Sequence, residues 1–153
     1  MKAGKYGAKG HNCDTPIELF QETLEYIRDY IKPDIVFWSG DNVAHDDIYV
    51  TEDETVATMK ATSQLVGDIL APSVKSIIPA LGNHDLYIPN NFGEEEGRAS
   101  VLATSEIFKY WLDEDAIESY KKYGYYKQEL KLDSDRKVMA FSINSISCYE
   151  LNH

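Results

Sequence analysis

The sequence predicts an α/β fold, a parallel β-α-β core with flanking helices and a C-terminal β-hairpin. Three observations carry this. Two short apolar runs, DIVFWS at 34–39 and KSIIPAL at 75–81, each end at a glycine, and uninterrupted β-prone runs of this kind suit strands buried on both faces of a parallel sheet. Before each run lies a segment with apolar residues at helical spacing, and the order helix, strand, helix, strand implies a right-handed parallel crossover. Beyond them, two further β-prone runs are joined by DSDR, a hairpin signal.

Each element has its own local cause. Thr15-Pro16-Ile17-Glu18 offers a capping residue, a proline at the first helical position and a Glu able to reach back to the cap. Ile17, Phe20, Leu24, Ile27 and Ile31 then share one face until Pro33 forbids continuation, which predicts a helix over about residues 16–31. Thr51-Glu52-Asp53-Glu54 offers a second capping box, and Val56, Met59, Val66 and Leu70 carry the apolar stripe towards Pro72. Residues 87–98, YIPNNFGEEEGR, hold a proline, two glycines and three consecutive Glu, so they read as an exposed loop. A third helix is expected over about 100–112, burying Leu102, Ile107, Phe108, Trp111 and Leu112. The hairpin strands are expected at 123–132 and 137–144.

Length and composition bound the rest. At 153 residues the chain has the size of a single domain. No apolar run approaches the eighteen or so residues of a membrane helix. Fifteen Lys and Arg against 26 Asp and Glu give a net charge of -11, which disfavours adhesion to nucleic-acid backbones. Any phosphate-handling site would need local positive charge, most simply from metal ions. Cys13 and Cys148 are too few for a disulfide framework and fit no compact zinc motif. Idle thiols, pairing with each other and pairing elsewhere all stay open. The start, MKAGKYGAKGHNC, lacks the apolar core of a signal peptide.

The two glycine-terminated strands end in SGDNVAHD and LGNHDL, and this is where chemistry is expected. In open parallel sheets the carboxyl ends of strands face the ligand crevice, so Asp41 and Asn83 should converge at one rim. A carboxylate and an amide oxygen suit divalent cations, and a carboxylate can bridge two ions about 3.5–4 Å apart. His84 could donate a proton to a leaving oxygen, and His45 could contact a phosphate from the side. Taken singly, each residue has a plainer role: Asp41 capping a turn, His84 as a hydrogen-bonded structural histidine, His45 on a surface loop. Asp85 is either the partner that orients His84 or a turn carboxylate. His11 and His153, near the chain ends, are assigned no role.

With these residues in view, W-x-G-D-N-x-x-H-D from Trp38 to Asp46 and L-G-N-H-D from Leu81 to Asp85 resemble two blocks of the calcineurin-like metallophosphoesterases. More narrowly, AGKYGAKGHNCDTP, the GDNVAHD spacing, Pro89 to Phe92 and FSINSISCY are similar to the acid sphingomyelinase-like phosphodiesterases, from about residue 3 to residue 150. The resemblance implies a partial metallophosphoesterase sandwich and a two-metal centre, with zinc as the ion. It implies Asp41 as the bridging carboxylate, Asn83 as a ligand to one ion, His84 as the proton donor and His45 as a phosphate contact. Asp14 is read as a helix-entry residue. The family pattern also has an Asp-x-His block upstream and a lone His and a Gly-His-x-His block downstream, which this sequence lacks. The chain therefore reads as one partial catalytic domain over residues 1–153, truncated at both ends, with Cys13 and Cys148 expected to pair outside it. A full-length relative would be secreted or lysosomal.

The expected function is hydrolysis of small phosphoesters, of lipid-headgroup or nucleotide type, without nucleic-acid binding and with negligible turnover by this segment alone. Two alternatives stand beside it. One is an endopolyphosphatase-like hydrolase, which shares the Cys-Asp entry and the W-x-G-D-N block. The other is a non-catalytic scaffold that keeps the fold for binding.

Overall fold

The structure, a computed structural model, describes residues 4–8, 13–45, 50–93, 95–133 and 135–150. In chain order the elements are α1 (Ile17–Tyr26), β1 (Ile35–Trp38), α2 (Glu52–Ile69), β2 (Ser76–Pro79), α3 (Glu95–Phe108), α4 (Glu114–Tyr123), β3 (Tyr126–Lys131) and β4 (Lys137–Ser142). Strands β1 and β2 pair in parallel, from Ile35 opposite Ser76 to Trp38 opposite Pro79, with α2 as the crossover. Strands β3 and β4 form an antiparallel hairpin, with Tyr126 opposite Ser142. This is the α/β arrangement the sequence predicts.

The two predicted helix starts differ in outcome. At α2 both halves of the capping box form: Thr51 Oγ1 accepts from the Glu54 N–H at 3.3 Å, and Glu54 Oε2 accepts from the Thr51 N–H at 2.9 Å. At α1 no side chain caps the helix. Pro16 is itself the half-in residue, extended at ψ 147°, and its carbonyl accepts the first helical bond from Phe20. The ladder thus begins one residue later than expected, and Thr15 stands too early to cap it. After Tyr26 the helix widens into a π-helical turn, Ile27–Ile31, and stops at Lys32 in left-handed conformation ahead of Pro33.

Strand β2 is buried on both faces, as predicted. Ile77 packs with Leu24, Val66 and Leu70, while Ile78 joins Met59, Leu86, Val101, Phe108 and Tyr120. Burying each such side chain is worth roughly 1.5–3 kcal/mol. Strand β1 departs from the prediction, because Phe37 is 72% exposed. Among the described residues β1 pairs only with β2, which leaves its other edge open, and the side chain of Phe37 lies on a face that no described element covers.

Helix α3 starts and ends earlier than expected, so Glu95 belongs to it rather than to the loop, and Leu102 faces outward. Trp111 and Leu112 lie in the turn that follows; Leu112 is buried, and Trp111 packs edge-on against Trp38 with ring centroids 5.8 Å apart. Helix α4 was not expected at all. Asp113 caps it by accepting from the Ala116 N–H at 2.8 Å, Gly124 ends it at φ 68°, and Ile117 and Tyr120 are its buried contacts. The Tyr120 hydroxyl meets Thr104 Oγ1 at 2.7 Å. From the hairpin, the Tyr126 hydroxyl and Ser142 Oγ both donate to the carbonyl of Pro79, which fastens it to the end of β2. Cys13 and Cys148 are exposed and no disulfide joins them. Among the described residues no helix is long and apolar enough to cross a membrane.

Candidate active site

Parallel pairing puts the carboxyl ends of β1 and β2 at one rim, and the ladder extends one rung further, from the Ala80 N–H to the Trp38 carbonyl at 2.7 Å. There the two chains turn against each other. Gly40 sits at φ 84° and Asp41 at φ 58°. A Cβ on Gly40 would overlap the backbone nitrogen of Gly82 and stand 2.7 Å from Asp85 Oδ2, and one on Gly82 would overlap the backbone of Asp41. Both glycines are present because the two backbones touch.

Asp85, fully buried, holds this contact together. Its Oδ2 accepts from the backbone N–H groups of Gly82 at 2.9 Å and Asp41 at 3.1 Å, and its Oδ1 accepts from the Asn42 N–H at 2.8 Å and from Asn42 Nδ2 at 3.2 Å. Burial pushes the carboxyl above the ordinary aspartate value, while the N–H donors act the other way. Sequence reasoning gave Asp85 a role within its own turn. Its bonds to Asp41 and Asn42 reach the other loop, 43 and 44 residues away.

Asp41 is exposed, and its Oδ1 accepts from the His84 N–H at 3.2 Å. Asn83 opens the 3₁₀ turn Asn83–Asp85 and is half-buried, its carbonyl accepting from the Asn90 N–H at 3.1 Å. The rim brings residues 41 and 83–84 together, although the two predicted ligands open into different clefts. Asp41 lines one of about 790 Å³ with Asp14, His45 and Glu54. Asn83 lines another of about 560 Å³ with His84, Asn90, Cys148 and Tyr149.

The imidazoles of His45 and His84 pack together with ring centroids 4.2 Å apart. His45 is also held by Asp14: Nδ1 lies 2.9 Å from Asp14 Oδ1, and the His45 N–H donates to Oδ2 at 3.3 Å. The hydrogen bond from His45 holds the Asp14 carboxyl below its ordinary value. Asp14 is therefore not the helix-entry residue the sequence suggested. It is 31 positions from its partner, and no local pattern could have announced the pair. Asp46, at the end of the first motif, and His11 and His153 lie outside the described residues.

Among the described residues no group of three or more His, Cys, Asp or Glu side chains is arranged to hold a metal ion. Asp41 and Asn83 are oxygen donors of the right kind, but two are too few for ions that take four or more ligands. On their own they do not fit a metal centre.

A model of the family described as calcineurin-like phosphoesterase matches residues 11–148. Its members generally use two divalent metal ions. Among curated proteins, an endopolyphosphatase of Debaryomyces hansenii is 27% identical over 98% of this chain and 23% of its own length. A cyclic GMP-AMP phosphodiesterase of Bos taurus is 30% identical over 92% of this chain and 30% of its own. A sphingomyelinase phosphodiesterase C of Dictyostelium discoideum is 28% identical over 99% of this chain and 33% of its own. The chain thus spans about a quarter to a third of the length of these relatives.

Proposed function

The chain belongs to the calcineurin-like phosphoesterase family, and from that premise we propose that it is part of a phosphoric ester hydrolase of the acid sphingomyelinase-like phosphodiesterase type. The observation that carries the reading is the 3.2 Å bond from the His84 N–H to Asp41 Oδ1, which joins the two motif loops at one rim. In this reading Asp41 and Asn83 are the oxygen donors this segment contributes to a two-metal centre, with zinc as the ion, and further ligands come from residues beyond those described. Held there, such ions would polarise a phosphoryl oxygen and supply a nucleophile at neutral pH. His84 gives a proton to the leaving oxygen, and His45 contacts a phosphate oxygen, the work an imidazole is suited to.

The substrate we propose is a small phosphoester of lipid-headgroup or nucleotide type, with no nucleic-acid binding, because the net charge of -11 repels long polyanions. The same charge weighs against the second reading, an endopolyphosphatase-like enzyme, which is favoured by the 27% identity of this chain, over 98% of its length, to the Debaryomyces protein. A secreted or lysosomal setting goes with the first reading. The test is hydrolysis of an aryl phosphodiester with zinc added, by the 153-residue chain and by a longer polypeptide that carries it. The reading expects turnover in the longer form, lost in Asp41→Asn, and negligible turnover in the chain alone. Hydrolysis that is indifferent to Asp41→Asn contradicts the assignment, and Asp41-dependent turnover by the chain alone contradicts the need for further ligands.

A further inference from the structure

We propose that Asp14 is a positioning residue that locks the imidazole of His45 in one tautomer and aims its Nε2 at the substrate phosphate. Three observations converge on it. The Asp14 carboxylate grips residue 45 twice, at the ring Nδ1 from 2.9 Å and at the backbone N–H from 3.3 Å, so both the ring and the loop that carries it are fixed by one side chain. The His45 ring also packs against that of His84, with centroids 4.2 Å apart. Asp14, His45 and Asp41 line the same cleft of about 790 Å³, so the group held by Asp14 shares a wall with Asp41.

The chemistry follows from donor and acceptor counting. An ionised carboxylate only accepts, so the 2.9 Å contact is a bond from His45 Nδ1–H to Asp14 Oδ1. The neutral ring then carries its one proton on Nδ1 and none on Nε2; when the ring is protonated, Nε2–H becomes a donor on the edge opposite the Asp14 bond. A carboxylate behind a histidine fixes ring orientation and raises the basicity of the opposite nitrogen. Asp14 thereby favours the imidazolium, the form that donates to a phosphate oxygen. The residue acts through His45 and does not itself touch substrate. Its position explains why a polar residue immediately before Thr15-Pro16 is spent on a loop 31 positions away instead of on the helix beside it.

This inference rests on the reading of His45 as a phosphate contact, and the experiment separates the two. Nitrogen-15 spectra of histidine-labelled chain report which ring nitrogen of His45 bears the proton, without metal or turnover. The expected result, read where the ring is neutral, is the Nδ1–H signature in the native chain, its loss in Asp14→Ala, and its return in Asp14→Glu, with melting curves that move only slightly because Asp14 is half exposed. A neutral His45 ring whose single proton sits on Nε2, or a signature that Asp14→Ala leaves in place, overturns the inference. Inorganic phosphate is then titrated into the native chain. A shift at His45 Nε2 that weakens in Asp14→Ala supports both readings. An intact Nδ1–H signature with no phosphate shift overturns the phosphate contact and, with it, the aim assigned to Asp14, while leaving the tautomer lock standing.

Discussion

The loop after β2 and the loop after β1 are written in the same alphabet, a glycine followed by polar side chains, yet the structure treats them differently. After β2, Leu81, Asp85 and Leu86 are buried, and the loop is a single tight turn. After β1, among the described residues, Asp41, Ala44 and His45 are exposed and Val43 alone is anchored in the core. The first loop can be rigid because it closes on itself through Asp85. The second borrows its shape, since the N–H groups of Asp41 and Asn42 are held by that same carboxylate. One loop is a template and the other is laid upon it, so the residues that face solvent are those with the least packing of their own.

Asp85→Ala should break this arrangement most completely. It leaves one buried and two partly buried backbone N–H groups and the Asn42 amide without their acceptor, at a cost of about 3 kcal/mol, read as a lowered urea midpoint. A loss below about 1 kcal/mol would mean that the outer loop holds its own shape. Next comes Gly40→Ala, which sets a methyl against the Gly82 backbone at a positive φ and should cost about 3 kcal/mol. Thr51→Ala, which removes a capping bond in the helix beyond the outer loop, sharpens the scale at about 1 kcal/mol.

The smallest effect is one of sign. Burial raises the folded pKa of Asp85, so its proton-linked contribution is fully present below the ordinary value of 3.8 and is lost as pH rises through the folded value. The pKa of Asp14 is lowered by His45, so its contribution is present above 3.8 and is lost as pH falls through the folded value. Across roughly pH 3 to 6, the stability of the native chain relative to Asp85→Asn should therefore decline with rising pH. Relative to Asp14→Asn it should rise, weakly, because Asp14 is half exposed. Thermal melts of the three proteins across that range check both slopes.

How much of this the sequence announced depends on how local the cause was. The strands, the box at Thr51 and the two glycine junctions are set by neighbours within a few residues, and they were legible. Helix α4 was not, because its burial rests on a short apolar set in a ten-residue segment crowded with Glu, Asp and Lys, and the tyrosines beside Gly124 read as strand. Phe37 was misjudged because apolarity tells what a strand can bury and not whether anything lies over it. The bonds of Asp85 to the outer loop and the grip of Asp14 on His45 join residues 31 to 44 positions apart, and contacts of that range leave no periodic trace.

The central proposal is that residues 41 and 83 form the cation-facing rim of this chain, and paramagnetic broadening of backbone amide signals by manganese tests it most directly. The account predicts that the amides of 41 and 82–85 broaden first and that Asp41→Asn removes the effect. Broadening spread evenly over the acidic surface, or unchanged in Asp41→Asn, would contradict it.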